Sequence, residues 1–233
     1  MRQAGMRVAL YWAPEPADPL WQAGNSWLGR DPEHNTDVAQ PPVPGIAAAT
    51  QDARVYGFHA TLRPPMRLAT GWEEFLDAAH QLAERVAPFD LPALEVAELS
   101  GFLALRERLP CPALQLLAEM CVRATNAHRL PPSAAELEKR RKAGLSPAQE
   151  ALLAAWGYPY VLDSWFFHMT LTRRLNEAEM RLLRPAAERH FAASLAVPRV
   201  VTHISIFTQR AAEADGAPAP FLICDRLKLR GRG

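Results

Sequence analysis

Phe58-His59-Ala60-Thr61-Leu62 and Phe167-His168-Met169-Thr170-Leu171 share one pattern, Phe-His-x-Thr-Leu, about a hundred residues apart in a chain of 233. Side chains on a strand alternate between its two faces. Read as strands, the segments put Phe58, Ala60 and Leu62, or Phe167, Met169 and Leu171, on an apolar face suited to a core. His59 with Thr61, and His168 with Thr170, then share the opposite face. One histidine on a strand is ordinarily a packed or solvated residue. Two of seven histidines in the same setting point to a duplicated or paired site. His34, His80, His128, His190 and His203 lack the pattern.

The flanking sequence repeats an order of strand, capped helix, strand. The first motif is read as a strand over 55–62. Thr70-Gly71-Trp72-Glu73 follows as a capping box for a helix running to about Val86, then a strand or hairpin from Leu94 to Leu105 bent at Ser100-Gly101. The second motif is read as a strand over 165–172. A helix capped at Asn176 and ending near Phe191 follows, then strands over Val197–Thr208 and Pro220–Leu229 joined by a flexible Ala/Gly/Asp/Pro loop. Ahead of both, Val8–Trp12 reads as a strand rich in β-formers. Asp18-Pro19 starts a short helix that Gly29 stops, and a proline-rich irregular loop covers 30–45. Pro112–His128 has helical periodicity. Residues 131–157 read as an inserted helical hairpin, with capping boxes at Ser133 and Ser146 and Gly144 between the helices. The fold class is therefore α+β. Two similar α+β lobes, each presenting one motif, are the economical architecture, in one bilobal domain over 1–233 with the inserted hairpin.

Composition narrows the function classes. The chain is 49% hydrophobic, enough for a substantial core, and its net charge of +1 argues against coating nucleic acid through a basic stripe. Cys111, Cys121 and Cys224 lack CxxC spacing, which disfavours a disulfide framework or a structural zinc and fits a cytoplasmic setting. The apolar run at Val8–Ala13 is too short for a membrane span or a signal-peptide core. No HExxH-type spacing accompanies the two histidines, so neither a metal nor a cofactor is expected.

The residue types suit acid and base chemistry on a phosphate ester. Opening a cyclic phosphodiester needs a base for the water proton and an acid for the leaving alkoxide. An imidazole with an ordinary pKa of about 6.5 can serve in either form. Hydroxyls of Thr61 and Thr170 can donate to the non-bridging oxygens. The pair of His-x-Thr motifs resembles the 2H phosphoesterase superfamily, which includes 2′-5′ RNA ligase-like proteins and cyclic nucleotide phosphodiesterases. Trp27-Leu28-Gly29-Arg30-Asp31-Pro32, Tyr56-Gly57 and Trp156-Gly157-Tyr158-Pro159-Tyr160 resemble a narrower bacterial subfamily associated with phosphonate metabolism. The resemblance implies a bilobal fold of two antiparallel-sheet lobes with helices outside and the motifs facing across a central groove. It puts His59 and His168 in the acid/base roles and Thr61 and Thr170 on the phosphate.

Four further residues are candidate substrate contacts. Arg63 extends the His59/Thr61 face if the strand continues, or else faces solvent at the strand end ahead of Pro64, and Thr172, its counterpart in the second motif, extends the polar face. Tyr11 or its neighbour Trp12 either faces the groove or packs in the core, and Arg30 either reaches from its loop toward an anion or pairs with Asp31 or another acid. Lys139-Arg140-Arg141-Lys142 ends the first hairpin helix, either as a solvated face matched to the helix dipole or as a lid that attracts phosphate. The expected partner is a small phosphorylated molecule, with no membrane contact. RNA ends carrying 2′,3′-cyclic or 2′-5′ linkages, and a non-catalytic nucleotide- or phosphate-binding module, are the alternatives.

Overall fold

A computed structural model describes residues 5–142, 144–211 and 218–231. In chain order the elements begin with β1 (Arg7–Trp12), α1 (Pro19–Leu28), β2 (Arg30–Asp31), β3 (Thr36–Asp37), α2 (Ile46–Tyr56) and β4 (Ala60–Met66). Next come α3 (Trp72–Ala83), β5 (Phe89–Leu91), β6 (Leu94–Leu99), β7 (Phe102–Glu107) and α4 (Pro112–Thr125). The hairpin helices α5 (Ala134–Arg141) and α6 (Pro147–Trp156) precede β8 (Met169–Thr170), α7 (Glu177–Leu195), β9 (Arg199–Val201), β10 (His203–Gln209) and β11 (Phe221–Lys228). Among the described residues no helix is long and apolar enough to cross a membrane.

Seven strands form one antiparallel sheet in the order β11-β10-β1-β4-β8-β7-β6. The strands carrying the two motifs, β4 and β8, are neighbours near its centre. They join the two halves of the sheet edge to edge through a single pair, Ala60 with Met169. Alternation holds around that pair. Phe58, Ala60, Leu62, Phe167, Met169 and Leu171 are all fully buried in the main core, beneath α1, α3, α4 and α7. A smaller cluster of Ala9, Tyr11, Trp21, Phe207 and Phe221 lies on the other face of β1, β10 and β11.

Local signals explain most helix ends. Asp18 accepts a hydrogen bond from the Leu20 N–H, and Gly29 ends α1 in the left-handed region at φ 78°. The Ser133 and Ser146 capping boxes start α5 and α6. Ser100 and Gly101, at φ 49° and 89°, make the tight turn of the β6–β7 hairpin.

Several boundaries differ from the sequence reading. Val55 and Tyr56 belong to α2, whose buried Ile46, Ala49, Thr50 and Ala53 recur at helical spacing, so the first motif's strand starts only at Ala60. The second motif contributes two strand residues rather than eight, because the chain reaches it from a single 3₁₀ turn at Leu162–Ser164. The α3 cap lies one residue later, where the Gly71 N–H donates to Glu74 at 2.6 Å. Pro185 does not stop α7, which continues to Leu195. Thr202 divides the next segment between β9, paired with β5, and β10. Within 30–45 the short β2–β3 hairpin forms. Most of the loop expected between the last two strands falls at 212–217, outside the described residues.

A seam of one residue pair leaves backbone groups in need of partners. Trp165 supplies one across it, donating its indole N–H to the Thr61 carbonyl at 2.7 Å. Trp27 donates to the Leu171 carbonyl at 3.1 Å from α1. Trp165→Phe, which keeps an aromatic ring but removes the N–H donor and part of the ring's packing, is expected to lower unfolding stability by at least about 1–1.5 kcal/mol. Equilibrium urea unfolding measures it, and an unchanged midpoint would mean that the seam does not depend on this bond.

Candidate active site

An antiparallel pair centred on Ala60 and Met169 sets His59 toward Thr170 and Thr61 toward His168. The residues on either side of such a pair share the face opposite to the paired side chains. His59, Thr61 and Thr170 line one cavity of about 300 Å³, with Arg7, Tyr11, Asp52, Tyr56, Pro64, Pro65, Arg140 and Tyr158 among its other walls. His168 lies beside it, close enough for its charge to act on His59.

Both imidazoles are held the same way. The Nδ1–H of His59 donates to the Gly57 carbonyl at 2.9 Å, and that of His168 donates to the Phe166 carbonyl at 3.2 Å. A carbonyl only accepts, so each Nδ1 carries the proton and each neutral ring keeps its Nε2 lone pair for chemistry. The Thr61 hydroxyl lies 3.2 Å from Nε2 of His59 and can donate to it. Gly57 adopts φ 79° and ψ 174°, a combination essentially restricted to glycine, and a Cβ there would meet Pro32 at 2.8 Å. Upstream, Gly24 of α1 lets Phe58 pack against bare backbone, since a Cβ would lie 2.1 Å from its ring.

Aromatic rings enclose the imidazoles. Tyr11 stacks on His59 with centroids 3.8 Å apart, and Phe207 and Tyr56 stand at 5.9 and 6.3 Å. Phe166 stacks on His168 at 4.8 Å and Phe102 meets it edge-on at 6.1 Å. Burial lowers the His59 pKa to about 4; the Gly57 carbonyl opposes this and the nearby His168 adds to it. Burial also lowers His168, with the Phe166 carbonyl opposing and Arg106 contributing. Both rings are therefore neutral at pH 7 in the free protein, and an anion in the cavity would raise both.

The other candidates separate. Tyr11 faces the cavity while Trp12 packs into the main core. Arg63 does not reach this face. Tyr11 pairs with Thr61 but Leu10 pairs with Arg63, so Leu62 is an extra residue, a β-bulge ahead of Pro64 and Pro65. The bulge turns Arg63 to the side of Leu10, where it is 1% exposed, with Nη1 3.5 Å from the Trp156 carbonyl and Nη2 3.3 Å from the Met66 sulfur. Burial pushes its pKa down to about 10. Thr172 is likewise structural: its hydroxyl accepts from the Leu103 N–H at 3.0 Å. Arg30 donates to the carbonyls of Arg54, Val55 and Phe221 at 2.9–3.1 Å. It thereby satisfies the last turn of α2 and fixes the approach to Gly57 instead of binding an anion.

Sequence reasoning missed Arg7, Asp52, Tyr56, Pro64 and Pro65 as cavity walls. Their signals were weak, since Arg7, Pro64 and Pro65 depend on how β1 pairs with β4, and Asp52 and Tyr56 on how α2 docks. Tyr56 and Tyr158 were visible as parts of motifs, without a position. The basic run divides: Arg141 pairs with Glu150 and Lys142 with Glu138, while Arg140 reaches the cavity. Among the described residues no three His, Cys, Asp or Glu side chains gather as a metal site.

A family model described as "Protein of unknown function (DUF1045)" matches residues 61–216. Two proteins named ribose 1,5-bisphosphate phosphokinase PhnN are similar to the chain. The one from Janthinobacterium sp. (strain Marseille) is 40% identical, covering 97% of this chain and 51% of that protein. The one from Laribacter hongkongensis (strain HLHK9) is 39% identical, covering 90% and 50%. The chain thus spans about half the length of the curated relatives it matches. Among solved structures, E. coli LigT complexed with 3′-AMP aligns with a TM-score of 0.43 and 16% identity over 96% of this chain and 98% of that one. LigT complexed with phosphate gives 0.44 and 16%, over 96% and 97%.

The pH behaviour of the imidazoles can be followed by NMR. In the free protein His59 should titrate near pH 4 and His168 below 6.5, and inorganic phosphate should move both midpoints upward. A His59 midpoint at or above 6.5 would contradict the burial described here.

Proposed function

The chain belongs to the DUF1045 family of proteins of unknown function, and from that premise we propose that it is a phosphodiesterase that opens the cyclic phosphate of a small sugar or nucleotide-like molecule by paired histidine catalysis, without a metal. The observation that carries the reading is the pairing of Ala60 with Met169, which sets two His-x-Thr units side by side on one face. One imidazole, neutral, takes a proton from water through Nε2 as the water oxygen attacks phosphorus. The other, protonated, gives its proton to the sugar oxygen as the ester P–O bond breaks. The product is a phosphomonoester with a free hydroxyl on the neighbouring carbon. Thr61 and Thr170 donate hydrogen bonds to the non-bridging oxygens, whose charge rises during attack. Substrate orientation decides which histidine is the acid.

The similarity to proteins named for a ribose 1,5-bisphosphate kinase favours a sugar phosphate and a place in phosphonate metabolism. Hydrolysis at RNA ends is a second reading, and Phe166 favours it: the ring is 42% exposed and stacked on His168, a face on which a base could lie. Turnover of a panel of cyclic phosphates (2′,3′-cyclic nucleotides, ribose cyclic phosphates and short RNAs with cyclic ends) separates the two.

His59→Ala and His168→Ala should each lower kcat by roughly 10²–10⁴-fold on whichever substrate turns over, with activity surviving EDTA. Wild-type rates in either variant would sink the mechanism. The pH profile is a further check. One ring must be neutral and the other protonated, and both pKa values lie below 6.5 in the free protein. So kcat/KM should peak on the acid side of pH 6.5 and fall as the acid loses its proton, whichever histidine that is. Bound phosphate favours imidazolium, so the kcat profile should lie at higher pH. A kcat/KM profile whose basic limb begins above pH 7.5 would rule out this assignment.

A further inference from the structure

The cavity extends beyond the paired motifs, and the reaction above leaves its far walls unused. Arg7 enters from the start of β1, four residues before Tyr11, a span of roughly 13 Å along an extended strand. Its Nε donates to Gln209 at 2.7 Å, and its guanidinium stands 5.4 Å from the centre of the Phe221 ring. Arg140 enters from α5 and lies 4.4 Å from the centre of the Tyr158 ring. Its Nε is buried without a hydrogen-bond partner among the described residues. Neighbouring Arg141 and Lys142 are ion-paired with Glu150 and Glu138, while Arg140, on this wall, has no carboxylate within ion-pairing distance among the described residues. Asp52 is the carboxylate that lines the same cavity, and the cation its charge acts on is Arg173.

We infer that this end of the cavity binds a second phosphoryl group, so that the substrate is a small cyclic phosphate bearing a phosphomonoester at its far end. The inference rests on the reading under Proposed function and narrows it. Guanidiniums present planar sets of donors that match phosphate oxygens, and stacking on Tyr158 fixes the plane of the Arg140 set. Two cations arriving from separate elements can hold a dianion from two sides. The volume of about 300 Å³ is at the small end of ligand pockets and suits one sugar phosphate better than a polymer. The inserted hairpin thereby acts as a specificity element, since it supplies both Arg140 and, just after α6, Tyr158.

The test compares a ribose cyclic phosphate with and without a 5-phosphate. Wild type should prefer the doubly phosphorylated molecule in kcat/KM, and Arg140→Gln should erode that preference by roughly 10- to 100-fold, mainly through KM. Arg140→Lys should retain an intermediate preference. Lys139→Gln, an exposed change on the same helix, should retain all of it. Arg7→Gln gives an independent second variant at the same wall. An equal loss on both substrates in the Arg140 and Arg7 variants, or no preference in wild type, overturns the inference. Calorimetric binding of ribose 5-phosphate to His168→Ala, and its loss when Arg140→Gln is added, reads the subsite without turnover. Arg140-dependent binding with no cyclic phosphate hydrolysed would keep the subsite and remove the catalytic reading. Hydrolysis without any preference for the 5-phosphate would do the reverse.

Discussion

One backbone pairing, Ala60 with Met169, carries the architecture of the site. It joins two halves of a sheet whose strands otherwise pair within their own half. Because the paired residues are the middle members of the two His-x-Thr units, the register at this point decides where four reactive side chains stand. A slip of one residue in either strand would send that strand's histidine toward the core and its apolar residues toward the cavity. The buried Phe58, Leu62, Phe167 and Leu171 oppose that slip, since each would lose its place among α1, α3, α4 and α7. The register is therefore held by hydrophobic burial on one face and sets the two His-x-Thr units side by side on the other.

The same enclosure that fixes the imidazoles sets their charge. Tyr11, Phe207 and Tyr56 crowd His59 and Phe166 and Phe102 crowd His168, so each half-buried imidazole meets less water than a free one. Low polarity penalises imidazolium, and the two rings also penalise each other's charge. The free site thus holds two neutral histidines with their Nε2 atoms unprotonated. In the reaction proposed above, an arriving anion stabilises the one proton that an acid–base pair needs. Carbonyl acceptors at Gly57 and Phe166 keep both tautomers ready for it.

Supporting residues lie at some distance in the sequence. Arg30 ties α2 and β11 to the loop before the first motif, and Trp165 reaches from the second motif to a carbonyl of the first. Gly24 and Gly57 leave room where any side chain would displace Phe58 or Pro32. Arg63 has no carboxylate within ion-pairing distance among the described residues. Instead it spans from β4 to the end of α6 and links the inserted hairpin to the strand of the first motif.

Much was legible from sequence because it follows from local rules. Alternation within Phe-His-x-Thr-Leu separates core from site in either motif, and the caps at Asp18, Ser133, Ser146 and Asn176 start helices where their side chains bond the following N–H groups. The α+β class and the four motif residues needed nothing more. What lay beyond was non-local. The Leu62 bulge, which moves Arg63 off the site, depends on how β1 pairs with β4. Thr172 and Arg30 have polar side chains that the backbone of other segments uses up, and no spacing in the chain announces those acceptors. The collection of Arg7, Asp52, Tyr158 and Arg140 around one cavity depends on where the hairpin lands. The sequence by itself determined which side chains could do chemistry, because alternation and capping are properties of a few consecutive residues. Only the tertiary structure decided which of them share a site, because register, bulges and helix docking are settled by packing between segments far apart in the chain.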